Sequence, residues 1–165
     1  MIDLKNQVAI ITGAGRGIGF ATAKTLGQLG VIPILFDVLS ENELTDAVDQ
    51  LQSLGISAHA YQVDVTQKSQ IDEAVNTVLK KLEHIDILVN NAGITRDSSL
   101  VRMKDQDWNR VLEVCLQGTY FCTKSVLKSM IKRRYGRIIN MSSVVGVIGN
   151  AGQANYSTAK AAILG

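Results

Sequence analysis

The chain has 165 residues, of which 46% are hydrophobic and 19% charged, with a formal net charge of +2 at pH 7. This length and composition predict an ordinary globular protein with a single domain spanning residues 1–165. The small net charge argues against a nucleic-acid partner or an acidic membrane surface, and no apolar run is long enough to span a membrane.

Short apolar runs rich in Ile and Val alternate with segments of helical length along the chain. This pattern is typical of parallel strands that are covered on both faces by helices. We therefore predict an α/β fold, a doubly wound parallel sheet of the Rossmann type with strand order 3-2-1-4-5. The predicted strands cover residues 8–11, 32–36, 58–63, 85–89 and 137–141. The first begins almost at Met1, which leaves no room for a leader segment, so we expect a cytoplasmic protein.

Three sequence signals mark where the helices begin. Ser40 and Glu43 form a capping-box pattern for the second helix, and Thr66 and Asp105 are candidate caps for the third and fourth. The fourth predicted helix, 105–134, is long. Its two cysteines, at 115 and 122, are seven residues apart on one helical face, so they are expected to be buried, reduced thiols.

The last residues of the chain have the pattern of a helix that begins but has no end within the sequence. Residues 154–165 have no polar taper, cap or proline after them, and strand order 3-2-1-4-5 leaves the fifth strand as an exposed apolar edge. We therefore expect the sequence to be the first two-thirds of a longer protein.

A glycine-rich loop follows the first strand and opens a helix. The glycines permit a tight turn and close backbone approach, and the helix N-terminus offers N–H groups to a pyrophosphate. The alternative is a merely tight strand-to-helix turn. The predicted cofactor-binding residues of this loop are Gly13, Gly15, Arg16, Gly17, Ile18 and Gly19.

Two charged residues give opposite indications about the cofactor. Asp37 ends the second strand, where a carboxylate can accept hydrogen bonds from both ribose hydroxyls and repel a 2′-phosphate. Arg16 could instead hold a 2′-phosphate. The sequence favours NAD(H), with NADP(H) as the alternative. The alternative interpretation of Asp37 is a solvated residue at a strand end with no part in cofactor binding.

Polar residues also follow the third and fourth strands, at the sheet edge where ligands bind in open α/β folds. Asp64 could accept a hydrogen bond from an adenine amino group. The asparagine pair could contact the ligand or satisfy backbone groups where the strands splay. The residues predicted to bind cofactor here are Asp64, Val65, Asn90, Asn91, Ala92 and Gly93.

Ser143, Tyr156 and Lys160 form the candidate catalytic set. Tyr156 and Lys160 are one helical turn apart, so they project the same way. A lysine ammonium about 4 Å away would favour the phenolate by about 4 kcal/mol and bring the tyrosine pKa towards neutrality. Ser143 would position a substrate carbonyl, and Tyr156 would exchange a proton with its oxygen. A surface tyrosine and lysine beside a loop serine is the alternative.

Together these residues resemble the short-chain dehydrogenase/reductase family, whose motifs are T-G-x-x-x-G-x-G, N-N-A-G and S…Y-x-x-x-K. The resemblance covers the whole chain. Segments 91–97, 102–104, 136–140 and 149–156 look like the bacterial 3-oxoacyl-acyl-carrier-protein reductase branch. It implies NAD(P)H-dependent reduction of a 3-oxoacyl thioester in fatty-acid biosynthesis. It also implies that Tyr156 and Lys160 contact the cofactor and that the site uses no metal.

The resemblance implies partners as well. The substrate would be carried by acyl-carrier protein or coenzyme A, Arg133 and Arg134 would meet the acidic carrier, and the full protein would be a homodimer or tetramer. A solvated helix end is the alternative for the arginine pair.

One departure concerns Cys115, where the family usually has an asparagine that lines a water chain to the lysine; a thiol there implies slower proton relay. Reductases of this branch commonly use NADPH, which Asp37 argues against. Two alternatives stay open: another alcohol or hydroxysteroid-type dehydrogenase of the family, and a non-catalytic dinucleotide-binding subunit.

Overall fold

A computed structural model describes residues 4–165 and contains a five-stranded parallel sheet of order β3-β2-β1-β4-β5. The predicted strand order is therefore confirmed. Each predicted strand is present to within two residues at either end; β1, β2 and β4 are covered on both faces, whereas the edge strand β5 is largely exposed. The strands are β1 Val8–Thr12, β2 Ile32–Asp37, β3 His59–Gln62, β4 Ile87–Asn90 and β5 Arg137–Asn140.

Helices cover both faces of the sheet, which gives the doubly wound arrangement. Their bounds are α1 Gly17–Gln28, α2 Glu41–Gln52, α3 Lys68–Leu82, α4 Asp105–Leu112, α5 Gly118–Arg133, α6 Val145–Ile148 and α7 Ala154–Ala162, with a 3₁₀ turn at Leu100–Arg102. On one face, Ala23 of α1 and Leu51 of α2 pack against the sheet. On the other face, Val75 of α3 and Val126 of α5 do so. Among residues 4–165, no helix is long and apolar enough to cross a membrane.

The predicted fourth helix is two helices joined by a π-helical turn, Glu113–Gln117. Cys115 lies in this turn and is fully buried, as is nearly all of Cys122, so the expectation of two buried free thiols is confirmed. Burial raises the pKa of the Cys122 thiol to about 12. Just after the turn, a Cβ on Gly118 would lie 2.8 Å from a methyl carbon of Val65, so this glycine lets the helix approach the loop after β3.

The capping box at the start of α2 is confirmed. The Ser40 Oγ accepts a hydrogen bond from the Glu43 N–H at 3.4 Å, and the Glu43 carboxylate accepts one from the Ser40 N–H at 2.9 Å. The other two caps were wrong. Gln67 and Lys104 occupy the cap positions of α3 and α4, and neither side chain caps its helix. The Thr66 side chain donates to Asp64 instead.

An ion pair stands at the edge of the sheet where the strands begin. The Asp86 carboxylate is buried, and its oxygens accept hydrogen bonds from the Val8 N–H at 2.9 Å and from Arg133 at 2.6 Å. Arg133 and the exposed Arg134 therefore lie between the end of α5 and the start of β5, at the edge opposite the carboxyl ends of the strands. Arg133, expected to contact a carrier protein, pairs with Asp86, while 40% of its side chain stays exposed. Arg134 keeps an exposed side chain, and its backbone adopts a left-handed conformation (φ 53°).

Replacing Ser40 by Ala should lower the free energy of unfolding by about 1 kcal/mol, because the change removes both the cap and its reciprocal bond to Glu43. Urea denaturation followed by circular dichroism measures the effect. Thr45→Ala is the matched control: its hydroxyl is exposed and bonds only the Glu41 carbonyl of its own helix, so stability should hardly change. Equal effects of the two substitutions would contradict the capping role.

Arg133→Met should destabilise the fold by about 1–3 kcal/mol, because it leaves the buried Asp86 carboxylate without its cationic partner. Arg134→Met, the adjacent exposed residue of the same chemistry, should stay within about 0.5 kcal/mol of the unaltered protein. Urea unfolding at neutral pH gives both values. If Arg134 proved as important as Arg133, the ion pair would not be the source of the stability.

Candidate active site

A cleft of about 610 Å³ opens where the strands of the sheet end. This volume is within the range of small-molecule binding sites, and its position is where open α/β sheets bind ligands. The cleft brings together residues predicted separately from the glycine loop, from three strand ends and from the last helix. Those that line it are Gly13, Arg16, Ile18, Asp37, Asp64, Val65, Asn91, Ala92, Gly93, Tyr156 and Lys160.

The glycine loop needs its glycines for two separate reasons. Gly13 and Gly17 have φ angles of +62° and +61°, which residues with a Cβ rarely adopt. Gly19 has no room for a side chain, because a Cβ there would lie 2.2 Å from the Gly13 carbonyl oxygen. The loop therefore folds tightly over the start of α1, whose first N–H groups are not consumed by a side-chain cap at Arg16.

Thr12 and Asn91 hold this loop to the end of β4. The Thr12 hydroxyl accepts hydrogen bonds from the N–H groups of Asn91 and Ala92, both at 3.0 Å. The Asn91 side-chain amide donates to the carbonyls of Thr12 at 2.9 Å and Gly13 at 3.1 Å. Of the two interpretations left open for the asparagine pair, Asn91 thus fulfils the structural one by satisfying backbone groups where β1 and β4 splay.

Asn90 also bonds within the protein rather than towards the cleft. Its side-chain amide donates to the Asn140 side chain at 2.8 Å and to the Thr123 hydroxyl at 3.1 Å. These bonds join the ends of β4 and β5 to α5. Asn90 therefore fixes the edge from which the chain continues to Ser143.

Asp37 is held at the cleft by backbone donors. One carboxylate oxygen accepts from the Gly15 N–H and the other from the Val38 N–H, both at 2.8 Å. The half-buried carboxylate places its negative charge beside the glycine loop. Arg16 is exposed on the same cleft, and its charge contributes to the lowered pKa of the Glu43 carboxyl, after the larger effect of the hydrogen bonds from Ser40. The two predicted cofactor determinants thus lie on one cleft.

The Asp64 carboxylate is occupied by protein groups. Burial would raise its pKa, but hydrogen bonds from Thr66 and the charge of Arg110 outweigh burial and lower it. Arg110 contacts Asp64 at 3.4 Å and the Thr66 hydroxyl at 3.2 Å, and it lines the cleft. The sequence analysis missed Arg110, because an arginine on the polar side of an amphipathic helix carries no signal that separates it from a solvated residue.

Ser143 and Tyr156 meet beside the cleft. Ser143 follows β5, and Tyr156 stands near the start of α7, partly buried against Val111, Cys115 and Ala159. Burial, the largest effect, and the nearby Cys115 raise the pKa of the Tyr156 hydroxyl above its usual value, while the nearby Ser143 hydroxyl acts to lower it.

Lys160 is buried, with only 3% of its surface exposed, and its ammonium donates to the Met141 carbonyl at 2.5 Å. The nitrogen lies 5.7 Å from the centre of the Tyr156 ring, and burial lowers the lysine pKa. The predicted lowering of the Tyr156 pKa by Lys160 is therefore wrong for this arrangement. The ammonium is directed at a backbone carbonyl rather than at the phenol, and desolvation dominates both groups.

Cys115 lies next to this pair. Its thiol is fully buried and donates weakly to the Ile94 carbonyl at 3.6 Å. Gly93 separates it from the lysine: a Cβ on Gly93 would be 3.4 Å from the Cys115 sulfur and 3.6 Å from the Lys160 nitrogen. The Cys115 thiol and the Lys160 ammonium thus both lie beside Gly93. Among residues 4–165, no cluster of His, Cys, Asp or Glu could hold a metal ion.

A family model described as short chain dehydrogenase matches residues 7–165. The chain is 46% identical over 165 residues to a 3-oxoacyl-[acyl-carrier-protein] reductase of Synechocystis, covering all of this chain and 67% of the relative. It is 46% identical over 162 residues to that of Thermotoga maritima, covering 98% of this chain and 65% of the relative. It is 41% identical over 164 residues to that of Escherichia coli, covering 99% and 66%.

Among solved structures, the fold is similar to that of NAD⁺-bound xylitol dehydrogenase, with a TM-score of 0.94 and 34% identity. That similarity covers 99% of this chain and 63% of the other. The chain thus spans about two-thirds of the length of the proteins that it matches.

Proposed function

The chain belongs to the short-chain dehydrogenase family, and we propose that the protein reduces 3-oxoacyl thioesters with a nicotinamide cofactor. The observation that carries the proposal is the meeting of Ser143, Tyr156 and Lys160 at the same sheet edge as the glycine loop. The reductases that the chain resembles at 41–46% identity support the thioester substrate.

The cleft fits a dinucleotide at the glycine loop. A Cβ on Gly13, Gly15 or Gly19 would lie within about 3 Å of other protein atoms, so the tight turn that brings the loop backbone and the start of α1 to the cleft requires glycine. Family and fold imply NAD(P) binding, and the bound cofactor would supply the hydride. The residues proposed to hold it are Gly13, Gly15, Arg16, Gly17, Ile18, Gly19, Asp37, Asp64, Val65, Asn90, Asn91, Ala92, Gly93, Tyr156 and Lys160.

Tyr156 is proposed as the general acid that protonates the substrate oxygen during reduction. Burial keeps its pKa above the usual value, so the phenol retains its proton at neutral pH. A protonated phenol can donate to the substrate oxygen during reduction, and the same group would accept the proton in the reverse reaction. Ser143, which lies near enough to Tyr156 to lower its pKa, would hold the same carbonyl oxygen in line with the phenol.

NAD(H) is the proposed cofactor, with NADP(H) as the alternative. The Asp37 carboxylate is fixed by the Gly15 and Val38 N–H groups and cannot easily turn away from the ribose. A negative charge held there would repel a 2′-phosphate. Arg16 on the same cleft is the group that would support NADP(H).

Two other functions have specific support. The fold's similarity to NAD⁺-bound xylitol dehydrogenase favours an alcohol dehydrogenase of the same family as a second candidate. A non-catalytic dinucleotide-binding subunit is favoured only by Cys115, and the assembled Ser143, Tyr156 and Lys160 argue against it.

Carrier and oligomer are further parts of the proposal. The acyl group would arrive on acyl-carrier protein or coenzyme A, with the exposed Arg133 and Arg134 proposed to meet an acidic carrier, although Arg133 is also paired with Asp86. Exposed Tyr120, Leu127 and Ile131 share one face of α5, which supports pairing with a second copy in a dimer or tetramer.

Tyr156→Phe, made in the complete gene product, should lower kcat about 100- to 10,000-fold with acetoacetyl-CoA, because the general acid is lost. NADH binding, followed by fluorescence, should be retained, since the ring still packs against Val111 and Ala159. Tyr61→Phe, a tyrosine on β3, is the control. Undiminished turnover by Tyr156→Phe would exclude the proposed acid.

Asp37→Asn should raise the ratio of kcat/KM for NADPH to that for NADH about 5- to 30-fold. The amide oxygen can still accept from the loop while the charge that repels a 2′-phosphate is gone; the range corresponds to about 1–2 kcal/mol. Steady-state kinetics with both cofactors give the ratio. The exposed Asp46→Asn on α2 controls for a general change of charge. An unaltered ratio would mean that Asp37 does not select the cofactor.

Cys115→Asn should increase kcat while leaving the NADH dissociation constant unchanged, because an amide beside Lys160 can hydrogen-bond where a thiol does so only weakly. Stopped-flow reduction of acetoacetyl-CoA measures the step. Cys122→Ser, the other buried thiol and away from Lys160, should not increase kcat. If Cys115→Asn turns over at the same rate as the unaltered protein, the thiol does not limit proton relay.

A further inference from the structure

Asn155, the residue before Tyr156, is fully buried and makes hydrogen bonds with every polar group of its side chain. Its side-chain amide nitrogen donates to the Arg96 carbonyl at 2.9 Å and, more weakly, to the Asp107 carbonyl at 3.5 Å. Its side-chain oxygen accepts from the Tyr156 N–H at 2.8 Å. The orientation of the amide follows from these partners, since two carbonyls need donors and the N–H needs an acceptor.

The first turn of α7 depends on Asn155 because the usual cap is missing. Gln153 occupies the N-cap position, and its side chain makes no capping bond. It turns outward and donates to Asp97 at 3.0 Å instead. The N–H of Tyr156 is one of the groups at a helix start that has no partner within the helix, and Asn155 supplies that partner.

The same side chain joins three parts of the site. Arg96 belongs to the loop that follows β4, Asp107 lies in the first turn of α4, and Tyr156 is on α7. The bond between the Ser98 N–H and the Gly152 carbonyl at 2.8 Å runs beside this junction. Asn155 therefore links the backbone of Tyr156 to this loop and to α4 by hydrogen bonds.

We propose that Asn155 is a positioning residue that sets the distance of the Tyr156 hydroxyl from Ser143 and Lys160; the inference rests on the proposed function. Its place in the chain, one residue before the tyrosine, means that any change in its bonds moves the Tyr156 N–H directly. Displacement of a reacting group by about 1 Å can reduce a rate about 100-fold. A side chain that only stabilised the fold would alter the unfolding free energy without this effect on chemistry.

The test compares Asn155→Ala with Asn150→Ala in the complete gene product, with kcat, the KM for NADH and the pH profile of kcat as readouts. Asn150 is an exposed asparagine in the preceding loop; in the described structure its side chain bonds only that of Gln153. For Asn155→Ala we expect kcat to fall about 10- to 100-fold while the KM for NADH is unchanged. The alkaline limb of kcat should move to higher pH, because a phenol displaced from Ser143 loses the influence that lowers its pKa.

An unchanged kcat, or a kcat that falls only with the folded fraction and keeps its pH profile, would overturn the positioning role. If Asn155→Ala does not fold, Asn155→Ser decides by the same readouts, since a hydroxyl is smaller and too short to reach both carbonyls. Tyr156→Phe separates this failure from failure of the proposed function. Turnover retained by Tyr156→Phe refutes the function, whereas turnover lost there but normal in Asn155→Ala refutes only the role of Asn155.

Discussion

The site depends on the hydrogen bonds by which Thr12 and Asn91 close the gap between β1 and β4. Two parallel strands that diverge leave N–H and carbonyl groups without ladder partners, and leaving such groups unpaired away from water costs about 1–3 kcal/mol each. Thr12 is buried and accepts from two N–H groups, while Asn91 donates to two carbonyls. The glycine loop is thereby fixed to the end of β4, which is followed by Gly93, and Cys115 and Lys160 lie beside Gly93. The candidate nucleotide-binding end and the candidate chemical end of the cleft are therefore parts of one hydrogen-bonded frame.

Within this frame, desolvation governs the candidate chemical groups. Burial raises the pKa of Tyr156 and lowers that of Lys160, so it favours the neutral form of each. The ammonium is balanced by the Met141 carbonyl at the end of β5, and this ties Lys160 to the strand that precedes Ser143. A protonated phenol suits donation to a carbonyl oxygen. Burial thus has the largest effect on the pKa of both groups.

Much of the fold was predictable because its signals are local. Runs of Ile and Val indicated the five strands, and Ser40 with Glu43 indicated the start of α2. The carboxyl ends of parallel strands must share an edge, so the glycine loop, Asp37, Asp64 and Ser143 could be placed together. The π turn at Cys115 was not predictable, since one extra residue in a helical hydrogen-bond pattern leaves the apolar periodicity almost unchanged. The Asp86–Arg133 pair, the contacts of Arg110 and the pKa direction of Tyr156 depend on burial and distant neighbours, which spacing along the chain does not encode.

The most direct test of the proposed activity is stopped-flow oxidation of NADH, and separately of NADPH, by the complete gene product with acetoacetyl-CoA. The proposal predicts oxidation that requires the 3-oxoacyl thioester and proceeds faster with NADH than with NADPH. Binding of both dinucleotides without any oxidation by the thioester would contradict it. In that case the cleft would serve as a nucleotide site without reductase chemistry on this substrate class.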